Sequence, residues 1–315
     1  MFFNNEQIQE ILSLVDFRFA DLVWRIFGPD HLTSSDADIL KKYGVNVSAL
    51  KEVIPPYWQN WMFGLLTGML SDNEAGKITY DNFIKYLNRK QYAPPSSREV
   101  EEYEMACNRT YGYLKGLGDK TKKDITSYIS DAELRVRAEY EGVISESMKR
   151  GVVGRKAIQL IASDISNKLN DWSRDWNRIV ETEYQAVFNM GRVQSMARRN
   201  PGKKYDTKVY FDVFPGACSS CIKLYLTSGI GSEPKIFTIK ELIGNGTNIG
   251  RKRKDWKPTV LFPVHPYCRC LVREYFEGDQ WDPKKRAFVI PENYERKFRP
   301  DLKVKITVGD QIVYA

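Results

Sequence analysis

Cys218-Ser219-Ser220-Cys221, followed 44 positions later by His265-Pro266-Tyr267-Cys268-Arg269-Cys270, decides how the last third of this 315-residue chain must fold. Two cysteines with a two-residue spacer, placed in a tight turn after Pro215-Gly216, can aim both sulfurs at one ion at ~2.3 Å. A second donor cluster from a distant segment then completes a tetrahedron. Four of the five cysteines fall within 53 residues, and one of the only two histidines stands among them. The N-terminus shows no basic stretch and no small-residue cleavage site, so the clustering favours a metal over disulfides. Soft thiolates together with an imidazole suit Zn²⁺. Five candidate ligands, Cys218, Cys221, His265, Cys268 and Cys270, compete for four places. Either one of Cys268 and Cys270 is a spectator, or His265 supports the site from behind. Unliganded buried cysteines or a redox pair are the plainer alternatives, since a lone C-x-x-C also fits a thioredoxin-like motif. Cys107 lies on an apolar helical face and reads as packing.

The expected zinc is structural. A catalytic site keeps three protein ligands and a water, with a carboxylate as base, whereas the donor supply here is enough to close the shell. No His-Glu-x-x-His pattern and no P-loop occurs, and His31 and His265 are too few for a two-histidine mechanism. Gly229-Ile230-Gly231 and Gly244-Asn245-Gly246 lack the strand and helix context of a nucleotide site. The protein is therefore expected not to be an enzyme and to take no small-molecule substrate. The rival class is a zinc-dependent nuclease or other hydrolase acting on DNA; a plain zinc-ribbon-like DNA-binding protein is a third.

Working outward from the cysteines, the chain divides at turn-rich stretches into residues 1–93, 96–199 and 201–315. The first is a helical region, with Ile8, Ile11, Leu12 and Val15 at helical spacing and an aromatic stripe, Trp24, Phe27, Tyr57, Trp58, Trp61 and Phe63, expected to form core. The second is built of long helices. Ser96 and Glu99 form a capping-box pattern, Gly116 and Gly118 are expected to end one helix, and Gly151 and Gly154 break the pattern again. Ile158, Ile161, Ile165, Leu169, Trp172, Trp176 and Ile179 then mark one helical face. The third changes period: 208–213 and 271–276 alternate as strands, and 304–308 and 311–314 flank Gly309-Asp310 as a hairpin. The fold class is α+β: a mainly helical N-terminal two-thirds with long helices, then a small zinc-stapled α+β domain ending in a β-hairpin.

Charge is uneven. Residues 201–315 carry 21 Lys and Arg against 13 Asp and Glu, while residues 1–200 are balanced at 27 and 27. Within the basic third lies Arg251-Lys252-Arg253-Lys254, with Lys257 close behind, a set suited to sequence-independent phosphate contacts with DNA. A solvated loop is the plainer reading of the same run. No stretch approaches the ~18 apolar residues of a membrane span, so no membrane partner is expected.

Arg178, Thr182, Glu183, Asn189 and Gly191 read R-x-x-x-T-E-x-x-x-x-x-N-x-G on the helix that leads into C-x-x-C and then H-P-Y-C-R-C. That order resembles the phage Mu F-like minor head proteins, also called the phage head morphogenesis family, over about residues 98–276. The segment 245–250 with Trp256-Lys257-Pro258 is similar as well. The resemblance implies a minor capsid protein of a tailed bacteriophage that acts in procapsid assembly near the portal vertex, in low copy number. Its partners would be portal and capsid proteins, with contact to packaged double-stranded DNA as a further expectation. Its place would be the host cytoplasm during assembly and then the virion, in the head interior or at the portal vertex.

Overall fold

The computed structural model describes residues 5–47, 55–69, 77–79, 82–83, 85, 95–140, 146–203, 205–289, 305–308 and 311–314. It is a mixed helix-and-sheet protein, mostly helical, and among the described residues the short strands all lie in the C-terminal third. Among the described residues no helix is long and apolar enough to cross a membrane. The chain forms two compact units: residues 1–56 with 107–180, and residues 57–106 with 181–315. These do not follow the sequence-order division at 93/96 and 199/201, because each of two long helices contributes to both units.

The first unit is helical. Helix α1 (Asn5–Phe27) buries Val15, Phe19, Ala20, Val23, Ile26 and Phe27, steps of three and four along one face. Thr33 caps α2 (Ser34–Lys42): its hydroxyl accepts from the Asp36 N–H, while the Asp36 carboxylate accepts from the Thr33 N–H at 3.1 Å. The phenol of Tyr111 donates to the same carboxylate at 3.3 Å, and burial, then the Asp36 charge, pushes its pKa up to about 12. Phe19 meets Tyr111 and Trp176 edge-on. Trp172 and Trp176 are buried, as the helical stripe requires; the side chains of Ile158, Ile161, Ile165 and Leu169 lie outside the described ones.

The long helices differ from expectation at their glycines. Helix α4 (Ser97–Tyr140) runs unbroken through Gly112, Gly116 and Gly118, and α5 (Glu146–Arg199) through Gly151 and Gly154. A helical glycine costs about 1 kcal/mol relative to alanine. In α4 the buried Leu114, Thr121, Ile125 and Ile129 outweigh that penalty. The capping box at its start is present: the Ser96 N–H donates to Glu99 Oε2 at 2.8 Å, and the Glu99 N–H donates to Ser96 Oγ.

The second unit places the start of α4 and the end of α5 beside α3 (Pro56–Met69). Here α3 and α5 approach at backbone distance. A Cβ added to Gly64 would stand 2.1 Å from the Phe188 oxygen, and one added to Gly191 would stand 2.3 Å from the Trp61 oxygen. Trp61 stacks on Tyr103 and donates from Nε1 to Gln194 Oε1 at 2.7 Å, while Gln194 Nε2 donates to Glu102. The aromatic stripe is core at Tyr57 and Trp61, both essentially sealed.

Onto the end of α5 packs a three-stranded antiparallel sheet in the order β2 (Phe237–Thr238), β1 (Lys208–Asp212), β3 (Leu271–Glu274). Phe211 pairs with Val272 and Val209 with Phe237. Two short helices, α6 (Ser219–Tyr225) and α7 (Ile239–Gly244), close the core, in which Tyr225 stacks on Phe211 at 4.0 Å. A hairpin not foreseen from the sequence, β4 (Gln280–Asp282) with β5 (Ala287–Val289), sets Phe288 against Tyr210, Tyr275 and Trp281. The terminal strands β6 (Lys305–Val308) and β7 (Gln311–Tyr314) pair antiparallel in the expected register, Ile306 opposite Val313. Their Gly309-Asp310 turn lies outside the described residues.

Candidate metal centre

All five expected ligands come together in the second unit, where they form two groups that share Cys221. Cys218, Cys221 and His265 present donor atoms within 4.8 Å of one another, as do Cys221, Cys268 and Cys270. The C-x-x-C spacing is not a free turn: Cys218 is the N-cap of α6, and Cys221 lies in its first helical turn. One turn of helix brings the two sulfurs to the same side. His265 Nε2 stands 3.1 Å from the Cys218 sulfur and 3.2 Å from that of Cys221, and the Cys221 and Cys268 sulfurs are 3.6 Å apart. Donors at ~2.3 Å from one tetrahedral ion stand ~3.8 Å apart, so a slight spreading of the cluster admits an ion. The donors present fit a metal.

The orientation of His265 supports that fit. Its Nδ1 lies 2.7 Å from the Pro266 carbonyl oxygen, which can only accept, so Nδ1 carries the proton. The lone pair of the neutral ring is then on Nε2, the nitrogen that faces the sulfurs. The His265 carbonyl accepts from the Cys268 N–H at 3.1 Å, which closes the H-x-x-C turn and holds both donors on one side.

The thiols conflict with one another in the absence of a cation. Cys221, Cys268 and Cys270 are all buried. Hydrogen bonds from Cys221 and then Cys270 hold Cys268 well below the ordinary thiol range, with help from the Cys270 N–H. Cys221, which shares its proton with Cys268, is driven far up. Burial, then the neighbouring sulfurs, raises Tyr225 as well. Only part of the set can ionise in so dry a place, and a divalent cation is what lets several buried thiolates coexist.

The helix motif meets this loop unequally. Thr182 Oγ1 accepts from the Tyr267 N–H at 3.1 Å, where Tyr267 holds a φ of 61°, in the left-handed region. Asn189 donates to the Cys270 oxygen and accepts from the Val272 N–H, at 3.0 and 3.3 Å. Gly191 makes room for α3. Glu183 is sealed, and its Oε2 accepts from the Tyr57 phenol of α3 at 3.4 Å. Arg178 is half exposed and belongs to the first unit, where it pairs with Asp175. The sequence reading missed Gln185, which donates to the Cys270 oxygen, and Arg192, which donates to the Val272 oxygen at 2.7 Å and to Thr67. The spacing 185, 189, 192 on one helical face was the signal available for both.

The basic set Arg251, Lys252, Arg253, Lys254 and Lys257 is exposed on one loop beside the centre. The two arginines are engaged within it: Arg251 donates to the Asn245 oxygen, and Arg253 donates to Ser220 and Ser219 at 2.7 and 2.6 Å. Asn248 holds the Lys257 backbone through both ends of its amide.

Compared with protein-family models, curated proteins and solved structures, the chain matches none.

Proposed function

We propose that the protein is a minor head protein of a tailed bacteriophage, of the Mu F-like kind, in which a zinc ion staples the basic module. In this reading it joins the procapsid near the portal, in low copy number, in the cytoplasm of the host. It remains in the virion, with its helical part on portal or capsid protein and its basic loop toward packaged DNA. Zn²⁺ held by four of Cys218, Cys221, His265, Cys268 and Cys270 would supply folding free energy rather than chemistry.

One observation supports the reading above the others. Thr182 and Asn189 of the helix motif and the H-P-Y-C-R-C loop, far apart in sequence, bond directly to each other through backbone groups, and Gly191 of the same motif seats α3. Thr182, Asn189 and Gly191, three of the helix residues that carry the resemblance, thus belong to one structural joint. A joint made of helix side chains and main chain serves assembly and stability, and five donors suffice to close a four-coordinate shell.

The test is co-expression with the portal and capsid proteins of a tailed phage that carries this chain, followed by purification of heads. Retention in washed heads at fewer copies than the major capsid protein, and capture by portal, are the expected results. Absence from heads, combined with metal-dependent cleavage of duplex DNA by the purified protein, would establish the hydrolase alternative instead.

A further inference from the structure

The loop 251–257 touches both halves of the donor cluster. The guanidinium of Arg253 bonds the hydroxyls of Ser219 and Ser220, the two residues that separate Cys218 from Cys221. The indole of Trp256 lies nearly parallel to the imidazole of His265, at 19° and 6.1 Å between centroids, and its Nε1 donates to the Arg251 oxygen at 3.1 Å. From behind, Asn245 donates to the Pro258 oxygen, and Asn248 holds Lys257. The loop is therefore braced on the C-x-x-C turn through one side chain and on the histidine through another. Lys252, Lys254 and Lys257 point from this frame into solvent, with no ion pair among the described residues, and Asp255 is the one acid in the stretch.

We infer that this loop is a metal-controlled face for the phosphate backbone of double-stranded DNA: Arg253 and Trp256 couple it to the metal centre, and Lys252, Lys254 and Lys257 meet phosphate. This rests on the DNA-facing role proposed above. Cys218, Cys221 and His265 hold one arrangement only while a common ion joins them. Arg253 and Trp256 read that arrangement, so loss of the ion releases the frame that presents the lysines. The reverse also holds: partners that orient ligating groups typically change metal affinity 10–100-fold. Arginine is the side chain suited to this brace, because its planar fork reaches two hydroxyls at once. The lysines, compact charges on flexible stems, suit sequence-independent phosphate contact.

The experiment uses the full chain loaded with Zn²⁺, with two readouts: retention of Zn²⁺ against a competing chelator, and binding to a short mixed-sequence duplex across a salt series. Arg253→Met is expected to weaken Zn²⁺ retention about tenfold and to weaken duplex binding, with Arg253→Lys intermediate. Replacing Lys252, Lys254 and Lys257 by Gln is expected to leave Zn²⁺ retention unchanged and to lower the salt slope by ~0.9 for each phosphate no longer neutralised. Stripping the wild type of metal should abolish binding. Normal Zn²⁺ retention in Arg253→Met, with duplex binding that survives metal removal, overturns the coupling. No duplex binding by the loaded wild type overturns the DNA face itself and leaves the head-assembly reading to its own test.

Discussion

The side-chain nitrogen of Asn189 donates to the main-chain oxygen of Cys270, and the oxygen of the same amide accepts from the Val272 N–H. One helix side chain thus completes the backbone on both sides of Leu271, on β3, which pairs with β1 along its other edge. Arg192 continues the row by donating to the Val272 oxygen. An edge strand otherwise exposes a ladder of unmet groups; here α5 covers it, and in doing so it anchors the loop that carries Cys268 and Cys270.

Asn189→Ala leaves the buried Val272 N–H without its partner, at about 1–3 kcal/mol, and leaves the Cys270 oxygen with Gln185 alone. Urea unfolding should show a loss well above the ~0.5 kcal/mol of a surface change. Asn189→Asp should also be strongly destabilising, since a carboxylate cannot donate to the Cys270 oxygen. A loss within ~0.5 kcal/mol for both would remove the joint as a source of stability.

The glycines of the long helices should respond in opposite directions. Gly191→Ala drives a methyl group to within 2.3 Å of the Trp61 oxygen, and overpacking of this kind costs about 1–3 kcal/mol. Gly112 and Gly116 in α4 have open space around them, and an added Cβ meets nothing within 4 Å. Their replacement by Ala should stabilise the helix by up to about 1 kcal/mol each. Thermal melts of the three single variants check the contrast.

The grouping of the cysteines and His265 into clusters that could hold a metal ion, and strands β1 and β3, were legible because each starts from local spacing: two residues between cysteines, period two in a strand. The glycine breaks were misread because a local penalty says nothing of the packing that offsets it, and in α4 the burial of Leu114 and Ile125 on the same helix decides the matter. Gly64 and Gly191 were visible as glycines, but their close approach joins residues far apart in sequence. The role of Arg253 was hidden for the same reason. In sequence it is one more charge in a basic run, and only the fold puts it on Ser219 and Ser220.

Acid sensitivity should trace in part to Glu99. Burial works to raise its pKa, but hydrogen bonds from Arg198 and from Ser96 outweigh that and hold it below its ordinary 4.5. Its contribution to stability is complete above that value and is lost as the pH falls through the lower folded-state pKa. Glu99→Gln should therefore be less stable than wild type near neutrality, with a shallower decline below pH 4.5. Parallel acid limbs for the two proteins in urea titrations would show that the pair with Arg198 contributes nothing to pH dependence.

The metal is the claim on which the module depends, and Cys221, the residue shared by both donor groups, is the place to test it. Elemental analysis of protein purified without chelator should find close to one zinc per chain. Cys221→Ser should lose most of that zinc and open residues 205–289 to protease, while Cys107→Ser should retain it. A zinc-free wild type that resists protease and unfolds at the same urea concentration as zinc-loaded protein would contradict the account.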